Sequence, residues 1–172
     1  VNSSIEAGPK KISITIDDLP FVGSSNVRGD KDHLHDRFAK IIQTLVDEQV
    51  PATGFVIAGS IAKGQWQLLE NFKKMGFIIG NHTYTHPNLG QIGAERYINE
   101  IAKADRRLTP LMNEKKYFRY PYLSVGRGEN RQRVRQYLAE NQYTIAPITI
   151  DSKDFRFNEQ LLATNWRNRE AR

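Results

Sequence analysis

Five short strand-like runs alternate with four stretches of helical periodicity along this chain, and few architectures accept that order. Lys11-Ile12-Ser13-Ile14-Thr15-Ile16 alternates polar and apolar residues with β-branched enrichment and stops at Asp17-Asp18-Leu19-Pro20, as a strand does on entering a loop. From about His35 to Glu48, Phe38, Ile41, Ile42, Leu45 and Val46 recur at helical spacing, and Pro51 marks the end. Residues 53–59 form a short apolar run bounded by turn residues, which reads as a buried strand. Trp66, Leu68, Leu69, Phe72 and Met75 predict a second helix closed by Gly76, and Phe77-Ile78-Ile79-Gly80 then leads into Asn81-His82. Helices over about 94–111 and 130–141, a strand near 117–119 and a last strand over 144–150 complete the series. This rhythm predicts an α/β fold with a parallel sheet and right-handed crossovers, open or partly closed as a barrel.

The 172 residues suit a single domain over 1–172. No apolar run approaches the ~20 residues needed to cross a bilayer and the start has no leader-like pattern; because the chain opens on Val1 rather than Met, a leader or upstream segment is expected to have been removed. With no cysteine, any metal site must use His, Asp or Glu. The net charge is +6, and between Lys103 and Arg135 ten basic residues stand against three acidic ones. No nucleic-acid-binding motif accompanies this sector, so it reads as a solvated helix face and nucleic acid is not an expected partner.

In parallel α/β folds, functional residues gather at the C-terminal ends of the strands. Asp17-Asp18, His82 with His86, Arg119, and Asp151 with Asp154 follow four different strands. Adjacent carboxylates repel by ~1 kcal/mol at 4 Å in water and ~4 at an effective dielectric of 20, and a divalent cation relieves this. One carboxylate with two imidazoles suits zinc or a related ion and leaves a position open for water. Asp18, His82 and His86 are the candidate ligands. The His82–His86 spacing is not that of the zinc proteases, because Thr83 stands where those need Glu.

Taken together, the motifs resemble those of the metal-dependent polysaccharide deacetylases, the NodB homology domain of carbohydrate esterase family 4. Thr15-Ile16-Asp17-Asp18, His82-Thr83-Tyr84-Thr85-His86, Arg119-Tyr120-Pro121-Tyr122 and Asp151-Ser152-Lys153-Asp154-Phe155 are similar to four of its motifs, in order, across about 11–158. The resemblance implies a distorted (β/α) barrel and hydrolysis of N-acetyl groups on amino-sugar polymers such as peptidoglycan or chitin, in a periplasmic or extracellular setting. It implies that Asp18, His82 and His86 hold a divalent metal, zinc first and cobalt, manganese or nickel as alternatives. Asp17 would then be the general base, Arg119 would orient it, and the Tyr122 backbone N–H would face the oxyanion. Asp151 would belong to the same catalytic group.

The family's fifth motif supplies a histidine that protonates the leaving amine, with the Asp151 region helping to set its charge. The four histidines here are 33, 35, 82 and 86, so the expectation is a barrel lacking its C-terminal strands, with an unpaired sheet edge that favours self-association. His33 and His35, placed in the loop after the first strand, are the remaining candidates for the acid, and Phe21, Val22 and Tyr122 are candidates to line the groove. Leu19-Pro20 and Phe155 also depart from common family residues. The missing histidine keeps a second reading open, a non-catalytic carbohydrate- or metal-binding remnant.

Overall fold

The computed structural model describes residues 12–20, 30–157 and 160. Strands β1 (Ile14–Leu19), β2 (Ala52–Val56), β3 (Ile78–Asn81), β4 (Lys116–Phe118) and β5 (Tyr143–Ile145) alternate with helices α1 (Asp30–Asp47), α2 (Gln65–Lys74), α3 (Leu89–Leu108) and α4 (Gly128–Glu140). Single 3-10 turns follow β2 (Ala58–Ser60) and β4 (Pro121–Leu123). All strand pairs are parallel and neighbours follow chain order. Right-handed crossovers between strands in strict order put every helix on one face and curl the sheet toward a barrel. Among the described residues β1 and β5 do not pair, so the barrel is open.

The two faces have different fillings. Ala52, Val56 and Ile79 from the strands join Phe38, Ile42, Leu69, Phe72, Ile101, Leu108, Val134 and Leu138 from the helices in one apolar core. Phe55 is also fully buried but lies outside that core, its ring 4.7 Å from the Arg119 guanidinium on the concave face. Gly80, beside it on β3, leaves the space this ring fills, because a Cβ there would lie 2.6 Å from it. Arg119, just after β4, reaches Asp17 and Thr15 on β1. In a flat sheet those strands would stand about 14 Å apart, more than an arginine spans, so the curl is what makes the contact.

Several element ends differ from the sequence expectation. The last strand stops at Ile145 rather than Ile150: β4 is three residues long, Ala146 N–H still donates to Phe118 O (2.8 Å), and Pro147 then has no N–H to offer. Helix α1 begins at Asp30, which puts His33 and His35 on a helix and not in a loop. Helix α3 begins at Leu89, capped by the Asn88 side chain on Gly90 N–H (2.9 Å), and breaks at Gly93 (φ 77°). Its second segment starts at the expected Ala94, whose N–H donates to Asn130 Oδ1 on α4 (3.1 Å).

The basic sector is dispersed. Lys116 pairs with Asp105 (3.0 Å), Arg107 donates to Ile61 O, Lys103 sits 4.0 Å from the Tyr84 ring centroid, and Arg119 is buried at the sheet's C-terminal edge. No helix of the described chain is long and apolar enough to cross a membrane.

Candidate metal and catalytic site

Strand β1 brings two consecutive carboxylates to one site, which regular strand geometry forbids because neighbours point to opposite faces. The β1–β2 register shifts between Ile16 and Leu19, and Asp18 takes a left-handed φ of 61°. This bulge re-aims Asp18 while Asp17 stays on the concave face. Strand β3 ends at Asn81, whose side chain is buried and fully bonded: Nδ2 donates to Ile101 O (3.1 Å) and Tyr143 Oη (2.9 Å), and Oδ1 accepts from Thr83 N–H (2.8 Å). Tyr143 in turn bonds Asp105. His82 and the turn to His86 are thereby fixed to β5 and α3.

Asp18 Oδ1 lies 3.3 Å from His82 Nε2 and 3.2 Å from His86 Nε2, and the three ligand atoms lie within 4.8 Å of one another. His82 Nδ1 is 2.8 Å from Arg119 O. A carbonyl only accepts, so that nitrogen carries the proton and, in neutral imidazole, Nε2 turns a lone pair toward the Asp18 oxygen. Two acceptors at 3.3 Å need a cation or a further proton between them. In the absence of a cation that further proton sits on the imidazoles, and hydrogen bonds from His82 first and then His86 hold the Asp18 carboxyl well below the usual carboxylate range against the opposing effect of burial. One carboxylate and two imidazoles, one of them oriented by a backbone carbonyl, form a donor set that fits a zinc-like ion.

Arg119 is 2% exposed, and each guanidinium nitrogen has an oxygen partner. Nη1 donates to both Asp17 oxygens (3.3 and 3.2 Å), Nε to Ala146 O (2.9 Å) and Nη2 to Thr15 Oγ1 (3.3 Å). Tyr122, in the turn after β4, has φ 55° and a largely exposed ring 4.5 Å from that of His86 between centroids. A groove of about 560 Å³ is lined by Asp17, Asp18, His82, His86, Tyr122 and Asp151. Asp154 and Phe155 also line it. Arg119 lines an adjoining cavity with Asp17 and Asp151.

All seven residues expected at the site therefore converge. Asp151 lines the groove and accepts from Lys153 N–H (3.0 Å), with no ion pair among the described residues. Phe21, Val22 and the side chains of His33 and His35 lie outside the described residues. Left-handed φ values at Asp18, Thr83, His86, Tyr122 and Leu123 concentrate strain here, each costing on the order of 1–3 kcal/mol. Asn81 and Phe55 support the site without having been singled out in the sequence. Only Asn81 carried a local signal, as a polar residue ending an apolar strand.

Residues 4–146 match the family model described as polysaccharide deacetylase. The chain belongs to that family. It is 30% identical over 118 residues to a peptidoglycan-N-acetylglucosamine deacetylase of Bacillus cereus, covering 68% of this chain and 41% of that protein. It is 36% identical over 86 residues to a chitooligosaccharide deacetylase of Sinorhizobium fredii, covering 48% and 39%. The chain thus spans about two-fifths of the length of these curated relatives. Among solved structures, a peptidoglycan N-acetylglucosamine deacetylase in complex with an N-hydroxybenzamide compound is 26% identical with TM-score 0.65, covering 85% of this chain and 60% of that one. A mutant of a family 4 pseudoenzyme with restored enzymatic activity is 24% identical with TM-score 0.67, covering 87% and 48%, a likeness of fold alone. These two solved structures share the α/β fold of this chain, whose sheet is open over the described residues.

Proposed function

We propose that this polysaccharide deacetylase domain hydrolyses N-acetyl groups on amino-sugar polymers of the peptidoglycan or chitin kind. The observation that carries the reading is the convergence of Asp18, His82 and His86 within one ligand sphere beside an Asp17 carboxylate gripped by buried Arg119. Asp18, His82 and His86 would hold a divalent metal, zinc first, with cobalt, manganese or nickel as alternatives. When bound, such an ion polarises an acyl oxygen and lowers the pKa of water toward ~7.

The chain's own residues divide the remaining work. Asp17 accepts the proton from the attacking water, and Arg119 fixes the direction of its oxygens. Water adds to the acetyl carbon, the C–N bond breaks, and acetate leaves as the amine gains a proton. Asp17, having taken the water's proton, then returns it to the leaving nitrogen. A backbone N–H at Tyr122 facing the oxyanion would contribute ~3 kcal/mol. Asp151 and Asp154 line the sugar-facing wall, and the Tyr122 and Phe155 rings offer apolar surface to a pyranose. With substrates of this class the protein would act in the periplasm or outside the cell.

The test is zinc titration into metal-stripped protein together with acetate release from an N-acetylated chitooligosaccharide. Asp17→Asn is expected to keep zinc and lose acetate release, and His86→Ala to lose both. Equal loss of zinc in both would refute the division between base and ligand. That no third imidazole lines the groove among the described residues favours a second reading, a carbohydrate- or metal-binding domain without turnover. Zinc and oligosaccharide binding with no acetate release from the unmutated chain would select it.

A further inference from the structure

The turn from Thr83 to His86 joins two of the three ligand residues, yet its backbone is unfavourable at both ends, with φ 69° at Thr83 and 61° at His86. Such a turn needs outside support to stay in one conformation. On its inner side Ala58 N–H and Gly59 N–H donate to Thr83 O (3.1 Å) and Tyr84 O (2.8 Å), and a side chain at Gly59 would collide with that second carbonyl. At its ends Thr83 N–H donates to Asn81 Oδ1 (2.8 Å) and His86 N–H to Thr83 Oγ1 (3.1 Å), and between them Thr85 is held by a single carboxylate oxygen. Glu100 Oε2, on α3, accepts from Thr85 N–H at 2.7 Å and from the Thr85 hydroxyl at 2.9 Å. Three residues on, the Lys103 ammonium lies over the Tyr84 ring. Glu100 is fifteen residues from Thr85 and is not among the residues lining the groove.

We propose that Glu100 is a positioning residue for the metal site: its carboxylate anchors Thr85 to α3 and so keeps the strained turn that holds His86 Nε2 beside Asp18. The inference rests on the reading that Asp18, His82 and His86 bind a metal. Bonds to an ionised acceptor are roughly twice as strong as neutral ones, and two of them end on one residue adjacent to the ligand. Without them the turn relaxes toward conformations in which His86 points elsewhere. Apparent affinity then falls by the fraction of molecules still competent, about tenfold if one in ten remains.

The experiment is competition titration of zinc against a chromophoric chelator, using the metal-stripped full chain and Glu100→Ala, Glu100→Gln and Glu95→Ala. Glu95 is an exposed residue of the same helix and serves as the control. Glu100→Ala is expected to raise the zinc Kd about 10- to 100-fold, the range for residues that orient metal ligands. Glu100→Gln, whose amide oxygen still accepts both bonds, stays within about threefold, and the metal-free unfolding midpoints of all three variants agree. Unchanged zinc affinity in Glu100→Ala would overturn the inference and leave the metal reading standing. A loss of metal-free stability matching the loss of affinity, without rescue by Gln, would reduce Glu100 to a fold contact. Absence of a zinc site in the unmutated chain would overturn the metal reading and this inference with it. Should Glu100→Ala not fold, Thr85→Val, which removes only the hydroxyl bond, is expected to raise Kd about threefold, and no rise would overturn the proposal.

Discussion

Arg119 is the residue on which the site's two halves meet. Its side chain grips Asp17, while its backbone carbonyl accepts from His82 and fixes that ring's tautomer. The two roles separate by substitution. Arg119→Lys keeps the carbonyl but replaces a planar fork with a compact point charge that cannot reach Asp17, Thr15 and Ala146 together. Zinc binding is expected to persist while acetate release falls by about 100-fold, the order of loss from misplacing a catalytic group by 1 Å. Titration and acetate assay on one preparation check this, and a near-parental rate would mean that the orientation of Asp17 does not matter. Beneath the guanidinium, Phe55 occupies the space that Gly80 leaves open. Gly80→Ala forces the ring to move and is expected to cost about 1–3 kcal/mol in urea unfolding, with reduced activity because Arg119 loses its support.

The elements themselves were legible where their information is local. The strand-helix rhythm, the helix stop at Gly76 and the paired polar residues at strand ends follow from periodicity and turn chemistry. The unread parts depend on partners distant in sequence. Nothing in Ile16-Asp17-Asp18 announces a bulge, because the register shift arises from pairing with β2. The run 144–150 looks like a strand, yet β5 ends where its short neighbour β4 ends. The break in α3 at Gly93 is closed by Asn130 from another helix, and Glu100 meets Thr85 only because α3 packs over the ligand turn. That helix-helix cap supplies a prediction at the same scale. Asn130→Ala leaves Ala94 N–H without its acceptor and is expected to cost about 1 kcal/mol, as other lost caps do. Denaturant unfolding measures the loss, and faster hydrogen exchange at the Ala94 amide localises it.

At the scale of the molecule, an open parallel sheet leaves both β1 and β5 with unpaired edges over the described residues. Charges and bulges blunt such edges in many proteins. Here the bulge lies at the site end of β1, whereas Ile14 at its other end and Ile12 just before it are 38% and 74% exposed. Beyond β5, Ile150, Phe155 and Phe157 add exposed apolar surface. Backbone donors beside uncovered apolar side chains favour pairing with a second copy. The purified chain is expected to self-associate reversibly, with a sedimentation coefficient that rises with concentration, and Ile12→Lys is expected to shift it toward monomer without altering zinc affinity. The metal acts on a different seam. By joining Asp18 on β1 to His82 and His86 after β3, zinc at 100 times its Kd would stabilise the folded chain by about 2.7 kcal/mol, whatever the state of the edges. A zinc-dependent rise in Tm at unchanged sedimentation, together with a sedimentation shift in Ile12→Lys at unchanged Tm response, would separate the two effects. Sedimentation as a single monomer at every concentration would show that the edges are shielded and would remove the self-association proposal, leaving the metal site untouched.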